Sequence, residues 1–215
     1  DPNVDLSAGS MKQRAEFARQ EMEVVRRPLT RRSIAQEVWG STWPHDFLVL
    51  GSSRMIREFD VAAPGKKVAV WSNRGVSGID GTIATSRGIS LGRARDGATG
   101  VTRVVLGDVS FLHDAGSLLL DRGEESAWLQ VIVVRDGGGS LFDQLEAKDT
   151  ASAEAYERVM FTPVEASLEH IAKGYGWSYR HAATAGELSE ALLDQSRHVV
   201  IECTVPRAEA EKPAS

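Results

Sequence analysis

The sequence predicts an α/β fold in three layers, a mostly parallel central sheet with helices on both faces. Segments 103–106 and 129–134 are nearly continuous apolar runs of strand length, the pattern of strands buried on both sides. Each run ends in an acid beside glycine, Gly107-Asp108 in the first and Asp136-Gly137-Gly138-Gly139 in the second. Segment 110–123 between them has the length of the crossover helix that parallel pairing requires. Asp108 and Asp136 are therefore expected at the same carboxyl edge of the sheet, where open α/β sheets bind ligands.

The remaining elements follow in chain order. Residues 1–10 are small and polar and read as a disordered linker or cloning remnant. Over 11–27 the residues Met11, Ala15, Ala18, Met22 and Val25 recur in steps of four and three, giving a one-sided helical arm. Its stripe is expected to pack on the chain's own core, with a partner outside this chain as the alternative. A second helix spans 31–39, closed by Gly40. A strand at 47–50 then runs into Gly51-Ser52-Ser53 and a further helix, an arrangement that aims N–H groups and hydroxyls at an anion, though serines there also serve as plain caps.

A strand at 68–71 precedes Ser77 and Asp80, which resemble a capping box opening a helix through Ile83, Ala84 and Ile89. Arg74, just past the strand, can grip a carboxylate with two parallel hydrogen bonds or form a structural ion pair. Segment 148–159 is polar and reads as mobile. Thr162-Pro163-Val164-Glu165 and Thr184-Ala185-Gly186-Glu187 carry helix-start signals, the second helix ending near Ser196. Short strands are expected at 177–181 and through Cys203, and residues 207–215 as a disordered tail.

A chain of 215 residues can bury about 70% of its unfolded surface. Its net charge of −5 provides no broad basic field for nucleic acid. The single cysteine, Cys203, reads as a buried strand residue, with a reactive thiol as the alternative. Together with the absence of a membrane-length apolar run or a signal pattern, this leads to the expectation of a soluble, cytoplasmic protein. The five histidines show no paired metal-ligand spacing. Asp136-Gly137 alone reads most simply as a turn, with metal binding the alternative.

Three segments taken together carry a family resemblance: 72–81 (Ser-Asn-Arg-Gly-Val-Ser-Gly-Ile-Asp-Gly), 107–114 (Gly-Asp-Val-Ser-Phe-Leu-His-Asp) and 133–142 (Val-Val-Arg-Asp-Gly-Gly-Gly-Ser-Leu-Phe). In this order they closely resemble the C-terminal third of the MenD family, thiamine-diphosphate-dependent synthases of menaquinone biosynthesis. The similarity runs from about residue 34 to residue 206. The Gly-Asp element marks thiamine-diphosphate enzymes broadly, and Ser-Asn-Arg-Gly points to this family.

The resemblance implies the thiamine-diphosphate-binding fold over 28–206, with Mg²⁺ held by Asp108, Asp136 and the backbone carbonyl of Gly138. One or two carboxylates with phosphate and water oxygens suit that ion. It further implies that Ser53 and Ser110 donate to the diphosphate and that Ser77, Gly78 and Gly107 allow close backbone approach. Ile79 would hold the cofactor bent, and Leu141 and Phe142 would line its pocket. Substrate carboxylates, of 2-oxoglutarate and isochorismate, would meet Ser53, Arg57 and Arg74, while Arg54 is expected to point elsewhere as a surface residue. Asp136 departs from the family's usual Asn and would turn an extra negative charge towards the diphosphate.

The family's whole enzyme decarboxylates 2-oxoglutarate and adds the resulting unit to isochorismate, as a homodimer or homotetramer. Its pyrimidine-binding and middle domains, and the glutamate that activates the cofactor, are expected outside this chain. The resemblance therefore places no catalytic residue here and implies that the isolated domain is inactive. Two alternatives accompany it: a non-catalytic binding module that lost metal binding through Asp136, and a thiamine-diphosphate enzyme acting on another 2-oxo acid.

Overall fold

A computed structural model of the chain describes residues 8–76, 78–120 and 127–207. Its elements begin with α1 (Ala8–Val25), α2 (Arg31–Ser41), β1 (Phe47–Leu50), α3 (Arg54–Ala62), β2 (Ala69–Trp71) and α4 (Thr82–Arg95). They continue with β3 (Thr102–Gly107), α5 (Asp108–His113), β4 (Leu129–Arg135), the single turns α6 (Ala147–Thr150) and α7 (Ala153–Tyr156), α8 (Leu168–Gly174), β5 (Ser178–Ala182), α9 (Ala185–Leu192) and β6 (His198–Thr204). The six strands form one sheet in the order β2-β1-β3-β4-β6-β5, and every neighbouring pair is parallel.

Alternation along the central strands feeds two separate cores. Leu48, Val105, Ile132, Val134 and Ile201 face α2, α3 and α9, burying Ile34, Phe59 and Leu188 among others. Val49, Val104, Val131, Val133 and Val200 face the other way, against Ile83 of α4, Phe111 of α5 and Leu168 of α8. This two-sided burial explains the unbroken apolar runs of β3 and β4. Cys203 lies fully buried in β6, where burial pushes its thiol pKa up and keeps it inert.

Several boundaries depart from the sequence reading. Residues 8–10, read as linker, belong to α1, and the apolar side of that helix is not packed on the core: Met11, Met22 and Val25 are each about half exposed. Two of the five stripe positions are alanine, which offers little area to bury. The helix meets the body near its end, where Val25 lies against Gly186 of α9. Helix α2 runs through Gly40 to Ser41. The expected crossover helix is the short α5 followed by a 3₁₀ turn at Ala115–Leu118; Leu119 and Leu120 are not helical, and 121–123 lie outside the described residues.

The capping box expected at Ser77 falls on a residue outside those described; α4 starts at Thr82 after Gly81. Its free N–H groups are met from a distance. The Asp114 carboxylate accepts from Ile83 N at 2.6 Å and Ala84 N at 3.3 Å, and a negative group at a helix start is favourable. Asp114→Ala is expected to destabilise the chain by about 1–2 kcal/mol, read as a lower urea midpoint with an unchanged slope.

Helix α8 begins after Ser167 rather than Thr162, since Thr162 adopts a left-handed φ of 48° and cannot start a helix there. Helix α9 does start at its Thr184/Glu187 capping box but ends at Leu192, short of Ser196. Segment 148–159, read as mobile, consists largely of the turns α6 and α7 and leads into a π-helical turn at Glu157–Phe161. Arg207, assigned to a disordered tail, is pinned: its guanidinium bonds both oxygens of Asp143 at 2.8 Å and stacks on Phe161 at 3.6 Å. Among the described residues no helix is long and apolar enough to cross a membrane.

Candidate functional site

The chain runs outward from β1 to the edge strand β2 and then returns to the other side of β1 as β3. The sheet order therefore reverses between β1 and β3, and ligands of such sheets settle at that crevice. A cavity of about 430 Å³ opens there, within the range of small-molecule sites. Its floor is built from the turn after β1 (Ser52, Ser53), the β3–α5 junction (Gly107, Asp108, Ser110) and the loop after β4 (Asp136, Gly138).

Asp108 is the first residue of α5, directly after β3, and is 1% exposed. Its Oδ1 accepts from Val109 N at 2.8 Å and its Oδ2 from Gly137 N at 2.9 Å, so the carboxyl ties the β3 tip to the glycine loop. Burial, and then the neighbouring Asp136 charge, push its pKa up to about 6. The loop itself is tight. Gly137 has φ 88°, and a Cβ on Gly138 would lie 2.5 Å from the Phe161 carbonyl oxygen. Gly139 N donates to that same oxygen.

Asp136 does not stand as an uncompensated charge. The guanidinium of Arg31, at the start of α2, and the hydroxyl of Ser140 both donate to its Oδ2, while Gly138 N approaches Oδ1 at 3.3 Å. Arg31 is 1% exposed. The expectation that Asp136 turns a bare extra charge towards a bound anion is corrected by this pair.

Ser53, Arg57, Arg74, Ile79, Leu141 and Phe142 also line the cavity, whereas Gly78 is not among its lining residues. Ser53 holds φ 116°, a costly conformation for a non-glycine residue and one that persists most often at functional sites. Arg54 is a correction: expected on the outer surface, it lines the cavity from the first turn of α3. Among the described residues, Arg54, Arg57 and Arg74 make no side-chain hydrogen bond or ion pair. One mouth thus carries three guanidinium groups that no described protein group engages.

Sequence reasoning missed Arg31, Ser140 and Arg54. For Arg54, its place in the first turn after Gly-Ser-Ser was a usable signal. For Arg31, 105 positions from its carboxylate partner, no local pattern could have shown the contact.

The donor set suits a hard cation. Carboxylate and carbonyl oxygens are present, and among the described residues no cluster of three or more histidine, cysteine or acidic side chains is poised to hold a metal. Phosphate and water oxygens would have to complete the shell, which is how Mg²⁺ is commonly bound.

No protein-family model matches the chain. Among curated proteins it is 53% identical over 187 residues to the 2-succinyl-5-enolpyruvyl-6-hydroxy-3-cyclohexene-1-carboxylate synthase of Clavibacter michiganensis, covering 86% of this chain and 32% of that protein. It is 50% identical over 181 residues to the synthase of the same name from Leifsonia xyli, covering 82% and 31%. The Paenarthrobacter aurescens synthase is 40% identical over 181 residues, with 80% and 31% covered. The chain thus spans about a third of the length of the curated relatives it matches.

Among solved structures, benzoylformate decarboxylase from Polynucleobacter necessarius superposes with a TM-score of 0.71 at 15% identity, over 84% of this chain and 34% of that one. A Mycobacterium smegmatis protein described as thiamin diphosphate-dependent gives 0.64 at 16% identity, over 84% and 32%. At these identities the likeness speaks for the fold. The chain corresponds to the C-terminal third of the 2-succinyl-5-enolpyruvyl-6-hydroxy-3-cyclohexene-1-carboxylate synthases, the MenD family, and carries the three-layer α/β fold of thiamine-diphosphate enzymes.

Proposed function

We propose that this chain holds the diphosphate end of thiamine diphosphate, with Mg²⁺, for a synthase that decarboxylates 2-oxoglutarate and transfers the remaining unit to isochorismate. The observation that carries the reading is the convergence of Asp108, Asp136 and the tight glycine loop in one cavity at the sheet's reversal point. Asp108, Asp136 and the Gly138 carbonyl would hold the ion, and Ser53 and Ser110 would donate to diphosphate oxygens. When bound, the cofactor supplies the electron sink that 2-oxo acid decarboxylation needs. The chain's own part is to position, to neutralise charge and, through Ile79, Leu141 and Phe142, to exclude water.

The three arginines at the mouth give this domain a role towards substrate as well. Guanidinium groups recognise carboxylates through paired hydrogen bonds, and both substrates carry carboxylates. Arg54 joins Arg57 and Arg74 in that role. The remainder of the synthase would supply the group that activates the cofactor, so this chain alone is inactive.

The test is titration calorimetry of the 215-residue chain with thiamine diphosphate and Mg²⁺. Binding heat that requires both ligands, and that disappears on Asp108→Ala, is the expected result. Equal heats with and without Mg²⁺, or unchanged binding by Asp108→Ala, would overturn the assignment. The alternative of a module that lost its metal through Asp136 is disfavoured by the Arg31 pair, which removes the charge argument behind it.

A further inference from the structure

Arg31 is a full charge in the interior, and its position is built rather than incidental. Thr30 and Ser33 form a reciprocal capping box that fixes where α2 begins. From the first residue of that helix, the guanidinium donates through Nη2 to Asp136 Oδ2 and, at 3.1 Å, to Ser140 Oγ, and through Nη1 to the Pro206 carbonyl at 3.4 Å. Three distant parts of the chain meet on one side chain: the start of α2, the loop after β4 and the segment after β6. The two oxygens of Asp136 are thereby made unequal. Oδ2 has two donors, while Oδ1 has the weaker contact with Gly138 N at 3.3 Å.

We propose that Arg31 is the charge-balancing and positioning residue of the cofactor loop, forming with Asp136 a single neutral unit that reserves Oδ1 for the cation accompanying a diphosphate. The inference rests on the function proposed above. Physically, Asp136 alone would add a negative charge beside an anionic ligand in a site that already holds the Asp108 carboxylate. Paired with a guanidinium, it contributes an oxygen ligand with no net charge, as a neutral amide would. Ser140 completes the unit by occupying the lone pairs that Arg31 leaves.

A double-mutant cycle tests this with Arg31→Gln, Asp136→Asn and the double variant, each measured for ligand-free thermal midpoint and for thiamine diphosphate and Mg²⁺ affinity by calorimetry. Arg31→Gln leaves a buried carboxylate unpaired and should lower the midpoint by about 10 °C. Its cofactor affinity should fall at least about tenfold, since a partner charge removed from a buried pair costs more than one factor of ten. Asp136→Asn alone leaves the buried guanidinium without its counter-charge and should also lower the midpoint.

The double variant carries a neutral amide pair and should recover most of both losses. Losses that simply add overturn the proposal. Should Arg31→Gln alone fail to fold, a folded double variant supports the pairing and an unfolded one overturns it. If the wild-type chain binds no cofactor, the assignment of the site fails, and the melting cycle alone decides whether the pair is one unit.

Discussion

Asp108→Asn is expected to abolish Mg²⁺-dependent cofactor binding and, in the same chain, to raise the ligand-free thermal midpoint at pH 7.5 by about 4–8 °C. The reason is that the Asp108 carboxyl is held where it is costly to ionise. Its pKa is raised from 3.8 to about 6, first by burial and then by Asp136. A raised folded-state pKa means that the group's contribution to stability is fully present below pH 3.8 and is lost as pH rises through about 6. The shift corresponds to at most about 3 kcal/mol of destabilisation at neutral pH.

Asparagine is the permanent mimic of the protonated acid. It keeps one carbonyl oxygen for the backbone and forfeits one of the two hydrogen bonds from Val109 N and Gly137 N, worth about 1 kcal/mol. A net gain of about 2 kcal/mol converts to the stated shift for a chain of this size. The difference should shrink below pH 6 and change sign near pH 4, where wild type is itself protonated and only the forfeited hydrogen bond separates the two. Saturating Mg²⁺ and thiamine diphosphate should close the gap from the other side, because about 100 Kd of ligand stabilises the wild type by about 2.7 kcal/mol. An Asn variant that melts lower than wild type at every pH would sink this account of Asp108 as a carboxylate kept for its ligand.

That trade bears on what could be read from the sequence. The core was legible because β3, β4 and β6 are buried on both faces and leave unbroken apolar runs. The positions of Asp108 and Asp136 were legible because parallel strands must end on the same edge. The helix start at Thr184 was read correctly from its local capping box, whereas α8 was placed at Thr162 although its own local cap is Ser167. The N-terminus of α4 is satisfied by Asp114, some 30 residues away, a contact that no local pattern announces.

The same limit hid Arg31. Its pairing with Asp136 depends on how α2 packs against the sheet, and no spacing in the sequence encodes that. Arg54 was misplaced for a different reason. Three residues before Arg57, it lies on the same side of a helix as that residue, and α3 brings both to the cavity. The stripe of α1 met the periodicity criterion for a core helix, yet its small residues offer little burial, and it lies exposed.

Gly138→Ala is the second substitution expected to act strongly, and it separates the geometry of the loop from its charges. The added Cβ would sit 2.5 Å from the Phe161 carbonyl oxygen and 3.0 Å from its ring, closer than van der Waals contact allows. Phe161 cannot yield cheaply. Its carbonyl accepts the Gly139 N–H, its ring lies under the Arg207 guanidinium, and Arg207 is clamped to Asp143 by two hydrogen bonds. Overpacking of this kind costs about 1–3 kcal/mol, and here the loop carrying the proposed carbonyl ligand must move.

The expected outcome is therefore a lower denaturation midpoint together with loss of more than about tenfold in cofactor affinity, since about 1.4 kcal/mol corresponds to each factor of ten. Gly65→Ala, where an added Cβ meets nothing within 4 Å, is the matched control and should stay within about 0.5 kcal/mol of wild type. The nearest obstacle is a backbone oxygen, so trimming the ring by Phe161→Ala should not rescue Gly138→Ala. If it does, the aromatic ring rather than the carbonyl sets the spacing of the loop, and the role of Arg207 in holding that ring becomes the controlling contact.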